Sequence, residues 1–118
     1  MDIDFPNEEK LYRAVQPFDM FWKENGTVSS AAFHDKRGLS VDRGDFRTDV
    51  KVAEAMIGRG LKGRIVSFFV KDCRDVNAIV LYKPEDMNLY HSEIHRNKTK
   101  PALTKSQMKH LARRSKIV

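Results

Sequence analysis

The spacing in this chain that most directly suggests chemistry is His91-x-Glu93-x-His95. On an extended strand, alternate side chains leave the same face, so all three groups would point one way. Two imidazoles and a carboxylate could hold zinc, manganese or iron with coordination positions left open. They could equally act as general acid and base in phosphodiester or glycosidic chemistry, because histidine titrates near neutrality. At about 3.3 Å rise per residue the outer Cα atoms lie about 13 Å apart, so adjacent pairs converge readily and the trio only around a bulge. His91 and Glu93 are therefore the candidate catalytic pair, and no metal ligand is assigned. The same alternation also describes the wet side of an edge strand.

A second group of residues is suited to gripping an anion. Tyr12-Arg13, Ser29-Ser30-Ala31-Ala32-Phe33 and Leu39-Ser40-Val41-Asp42-Arg43 combine small polar groups with two arginines. The planar guanidinium fork matches phosphate and carboxylate, and the small residues would let a ligand approach the backbone. Tyr12, Arg13, Ser29, Ser30, Ser40 and Arg43 are the candidate ligand-binding residues. Ordinary sheet packing is the competing reading, with alanine on a helix-covered side, serine on the wet side and a surface pair between Arg43 and Asp42.

Charge supplies the third signal. The 118 residues carry a formal net charge of +6, yet the segment from Ser92 to Val118 holds eight basic residues against one acid. The excess is confined to the last quarter of the chain, which points to a polyanionic partner or to a solvated basic tail. Lys105, Lys109, Arg113, Arg114 and Lys116 are the candidate nucleic-acid contacts, working by counterion release at phosphates with little reading of sequence.

Several other features have ordinary explanations. Cys73 lies between Asp72 and Arg74 without a neighbouring histidine, which argues against a catalytic thiolate. Phe18, Phe21 and Trp22 form either a core anchor or a stacking platform for bases. Gly58-x-Gly60-x-x-Gly63 follows a helix and precedes a strand, the reverse of a dinucleotide-binding turn. The cofactor is left unspecified.

The elements that must position these groups follow from periodicity. Alternation predicts strands at residues 11–15, 39–43 and 89–95, and a strand of small residues at 27–33. Residues 62–69 and 77–82 are rich in β-branched and aromatic side chains and read as two strong strands, antiparallel neighbours across a turn at 72–75. Apolar positions at helical spacing give a helix over about 48–58, opened by Thr48 or Asp49 and closed by Gly58 and Gly60. Thr104 and Gln107 have the spacing of a capping box, opening a second helix over about 104–116 with Met108, Leu111 and Ala112 inward and Ile117 as a further inner position. The fold class is α+β, a small and mostly antiparallel sheet with two helices, read as one domain over 1–118 with a basic segment at 96–118.

The segments Leu11-Tyr12-Arg13, Ser29-Ser30-Ala31-Ala32-Phe33, Leu39-Ser40-Val41-Asp42-Arg43 and His91-Ser92-Glu93, followed by a short basic helix, resemble a group of small bacterial proteins of uncharacterised function. That resemblance spans most of the chain and implies a stand-alone domain, with no activity attached. More loosely, the order Arg13, then Ser29 or Ser30, then Glu93 is similar to ADP-ribosyltransferase-like domains, without their full Ser-Thr-Ser segment. It would imply a grip on a nicotinamide dinucleotide and stabilisation of a ribosyl cation.

With 41% apolar and 32% charged residues, one cysteine and no long apolar run, the composition excludes membrane-spanning, collagen-like and disulfide-stapled classes. It predicts a soluble cytoplasmic protein. Three functional classes fit: a module binding nucleic acid or a nucleotide, a small enzyme on a phosphate-bearing substrate, and a regulatory subunit with a protein partner.

Overall fold

The computed structural model describes residues 4–118. Its centre is one six-stranded sheet in the order β4-β5-β2-β1-β3-β6, with every neighbouring pair antiparallel. The strands are β1 (Lys10–Val15), β2 (Leu39–Arg43), β3 (Arg64–Phe69), β4 (Ile79–Tyr82), β5 (His91–His95) and β6 (Lys116–Ile117). Three α-helices accompany them: α1 (Asp49–Gly58), α2 (Val70–Arg74) and α3 (Lys105–Arg114). The α+β class read from the sequence is the class observed.

The two faces of the sheet are covered by different elements. Leu11 and Val15 of β1, Leu39 and Val41 of β2, Val66 and Phe68 of β3 and Ile94 of β5 form one apolar layer with Phe33 and with Leu111 of α3. On the opposite face Tyr12 and Ile65 meet Val52 and Met56 of α1. A helix about 10 Å across spans roughly two strands at about 4.8 Å spacing. Helix α1 thus covers β1 and β3, leaving the α1-side faces of β2, β5 and β4 without a helix.

Helix ends follow their local chemistry. Thr48 accepts from Lys51 N at 3.2 Å at the start of α1, and Gly60 takes φ +86° just beyond its end, where a side chain would be strained. At α3 the reciprocal cap is complete: Gln107 N donates to Thr104 Oγ1 at 3.1 Å and Thr104 N donates to Gln107 Oε1 at 2.9 Å. Gln107 is buried, its amide nitrogen donating to the carbonyls of Val76 and Arg96.

Five expectations are corrected. Residues 27–33 are not a strand: after an isolated bridge between Trp22 and Val28, Ser30–Phe33 forms a 3-10 turn. Within it Ala32 and Phe33 are buried, and His34 N donates to Ala31 O in the i to i+3 pattern of that turn. The turn expected at 72–75 is largely α2, a third helix, begun by Phe69 N donating to the Asp72 carboxylate at 2.8 Å. The two strong strands are not neighbours, since β3 lies between β1 and β6 while β4 pairs with β5 at the far edge. Finally, Arg43 does not pair with Asp42, because adjacent strand residues point to opposite faces. Arg43 binds Glu9 through two 2.8 Å bonds, and Asp42 binds Arg59. Ile117, expected on the inner stripe of α3, belongs instead to β6 opposite Val66.

Candidate functional site

The open part of the sheet face is polar. Across the β2–β5 ladder Ser40 lies opposite Glu93 and Asp42 opposite His91, so these four side chains share the α1-side face. Between them, the C-terminal end of α1 and the 83–90 loop is a cleft of about 820 Å³. Tyr12, Arg13, Ser40, Asp42 and His91 line its floor and sides, with Met56, Arg59, Leu61, Met87 and Asn88 around them.

Asp42 is the anchor of this cleft. Its carboxylate is buried and accepts from Arg59 Nη2 and from Asn88 Nδ2, each at 2.8 Å. One side chain thereby ties the residue closing α1 to the loop preceding β5. Removing either donor would leave a buried negative charge under-satisfied.

Arg13 occupies a gap in the sheet. The β1–β2 ladder pairs Leu11 with Arg43 and Tyr12 with Asp42 and then stops. Beyond that point the guanidinium substitutes for the missing rungs, donating from Nη1 to Ser40 O and from Nε to Ala32 O, both at 2.8 Å. Burial pulls it below the ordinary arginine range, with Asp35 acting in the opposite sense, and arginine remains a cation there. Among the described residues no carboxylate pairs with it. Arg43, by contrast, lies against Glu9 and over the rings of Phe5 and Tyr82, and those hydrogen bonds hold its proton more firmly than usual.

His91 has a defined orientation. Its Nδ1 is 2.8 Å from Lys83 O. A carbonyl only accepts, so Nδ1 carries the hydrogen and the neutral ring presents its lone pair at Nε2. That nitrogen faces the Ser40 hydroxyl at 3.4 Å. The arrangement has the parts of a nucleophile–base–orienter set, in which hydroxyl-to-base distances are often loose before a ligand binds.

Glu93 takes a different path from His91. His95 Nε2 lies 2.8 Å from its carboxylate and Lys83 Nζ lies 3.6 Å away. The alternating trio shares one face, yet it resolves into a Glu93–His95 pair and a separate His91 directed at Ser40. Gly38 makes the pair feasible, since a Cβ there would collide with the His95 ring.

Of the other sequence-derived residues, Tyr12 lines the cleft but sends its hydroxyl to Asp49 in α1. Burial and this bond hold the phenol well above its usual range. Ser29 donates to Met20 O at 2.6 Å, and both Ser29 and Ser30 lie by the 3-10 turn that packs against α3, away from Glu93. Arg13, Ser29 or Ser30, and Glu93 thus do not meet at one place. Lys105, Lys109, Arg113, Arg114 and Lys116 are all exposed; the first four lie on α3, with Arg114 bound to Asp72 at 3.0 Å, and Lys116 lies in β6 opposite Ser67, on the other face of the sheet. Cys73 is fully buried, and burial raises its thiol far above the ordinary range.

Sequence reasoning missed Arg59 and Asn88. Arg59 had a faint signal, a basic side chain between Gly58 and Gly60 at a helix end; Asn88 had none. No described helix is long and apolar enough to cross a membrane. No protein-family model, curated protein or solved structure matches this chain.

Proposed function

We propose that the protein is a small enzyme that binds a phosphate-bearing molecule of nucleotide size in the cleft beside α1. In this reading His91 Nε2 serves as general base toward a water or hydroxyl held next to Ser40. The observation that carries it is Arg13, a half-buried cation with no carboxylate partner among the described residues, bordering the same cleft as the Ser40–His91 pair. Its Nη2, which neither the Ala32 nor the Ser40 carbonyl engages, is left to donate to a phosphate oxygen, while Arg59 at the rim is already paired with Asp42 and adds donors rather than net charge. Met56, Leu61 and Met87 supply apolar surface for a base or similar ring, in a volume within the usual range for ligand pockets.

The direct test is calorimetry and thermal melting of the whole chain with ADP, with AMP and with inorganic phosphate. Saturable binding of ADP that is weakened at least tenfold by Arg13→Lys supports the reading, since lysine keeps the charge and loses the fork. Turnover lost in His91→Gln with ADP binding retained would assign the proton transfer. No heat and no melting shift with millimolar ADP would sink the proposal.

A second reading concerns nucleic acid. Lys105, Lys109 and Arg113 recur every four residues along the exposed side of α3, on the sheet face opposite the cleft. Binding there would weaken steeply with salt. Anisotropy of labelled RNA and DNA, compared between the parent and Lys105→Ala/Lys109→Ala/Arg113→Ala, separates it from the cleft reading.

A further inference from the structure

Helices α2 and α3 meet at a cluster that the cleft does not use. Asp72 and Asp75 are three residues apart, a spacing that places side chains on one side of a helical turn. His110 of α3 completes the group. One oxygen of each aspartate and one ring nitrogen of His110 all lie within 4.8 Å of one another.

Two features set this cluster apart from a chance gathering of surface charge. His110 Nε2 is buried and has no hydrogen-bond partner, the only such side-chain atom among the described residues. An orphaned buried polar atom is costly and needs explaining. Asp72 is buried and already oriented, by Phe69 N at 2.8 Å on one oxygen and Arg114 Nε at 3.0 Å on the other. Metal-ligating carboxylates are commonly fixed by such outer hydrogen bonds, and each oxygen keeps a further lone pair.

We propose that Asp72, Asp75 and His110 form a divalent transition-metal site that clips α3 onto α2. Two carboxylates and one imidazole suit zinc or manganese better than a soft, thiolate-seeking ion. Tetrahedral ligands at about 2.0–2.1 Å from zinc stand about 3.4 Å from each other, so modest side-chain rotation closes the set. Asp75 is exposed, which leaves water for the remaining positions. Arg114 and Lys71, the latter 3.5 Å from Asp75, compete for the carboxylates and so weaken the site. The ion would brace the junction from which the basic face of α3 projects.

The proposal is independent of the cleft, which contains none of these residues. The experiment is titration of the metal-free full chain with zinc chloride and, separately, manganese chloride. It is followed by calorimetry, thermal melting and amide NMR. One equivalent at micromolar affinity is expected, with a raised melting temperature. Manganese should broaden resonances around 72–75 and 107–111. Asp75→Asn and His110→Gln should each weaken binding at least tenfold, while His95→Ala, which dismantles the other histidine–carboxylate pair, leaves it unchanged. Asp75→Asn lies on an exposed side chain and serves as the decisive variant if His110→Gln fails to fold. Absence of saturable binding by either ion, or binding that follows His95 and ignores Asp75, would overturn the site.

Discussion

The two faces of the sheet are built to different standards. On the α3 side sixteen buried residues form one continuous apolar cluster; on the α1 side the buried cluster has four. Both faces belong to the same strands, but alternation gives each its own side chains as well as its own cover. Where α3 and the 3-10 turn overlie it, the covered positions are mostly apolar, with Arg13, Arg43 and Ser92 the polar exceptions. Where α1 stops, Ser40 is exposed and His91 half-exposed, beside a buried Asp42 held by Arg59 and Asn88. Stability is concentrated on one side, and the groups capable of chemistry lie where burial gives out.

The contrast can be attacked at its strongest point first. Arg43→Leu leaves the buried Glu9 carboxylate without its bidentate partner and should cost about 3–5 kcal/mol in a denaturant melt. A cost below about 1 kcal/mol would mean this pair does not hold the closed side. Truncation compares the faces directly. Leu111→Ala, in the dry layer, should lose about 2–5 kcal/mol, with Met56→Ala falling at the lower end because its void opens onto the cleft. Equal losses would erase the distinction.

A smaller effect tests α1's seat on the sheet. The Asp49 carboxyl is held below its ordinary range first by the Tyr12 hydroxyl and then by Lys10. Its folded-state pKa is depressed, so its contribution is present above the unfolded value near 3.8 and disappears as pH falls through the folded one. Tyr12→Phe should cost about 1 kcal/mol at neutral pH and reduce the loss of stability below about pH 4. An unchanged acid melt would show that the phenol does not govern Asp49. Least of all should change on the outer side of α3: Lys109→Ala should stay within about 0.5 kcal/mol, while any nucleic-acid affinity of that surface falls.

Legibility varied with how local the cause was. The Thr104–Gln107 cap and the start of α1 were readable because the donors and acceptors lie within four residues of each other. The 3-10 turn at Ser30–Phe33 was not, since small residues leave local preference weak and the long-range contact with α3 decides. Alternation placed His91 and Glu93 on one face but could not say that Lys83 O would turn His91 toward Ser40, fifty-one residues away. Arg59 and Asn88 carried almost no signal, because their importance lies in reaching a carboxylate on another strand.

Period, turn chemistry and charge bias therefore determined the α+β class, most strand and helix positions and the basic C-terminal segment without any help from three dimensions. Strand order was decided only by tertiary structure: it separates β3 from β4, opposes the α3 and α1 faces, and brings Arg13, Ser40 and His91 to one cleft. The division has a simple cause. Backbone preferences and side-chain alternation act over a few residues, whereas the pairing of strands and the reach of one helix over them depend on which distant surfaces bury best together.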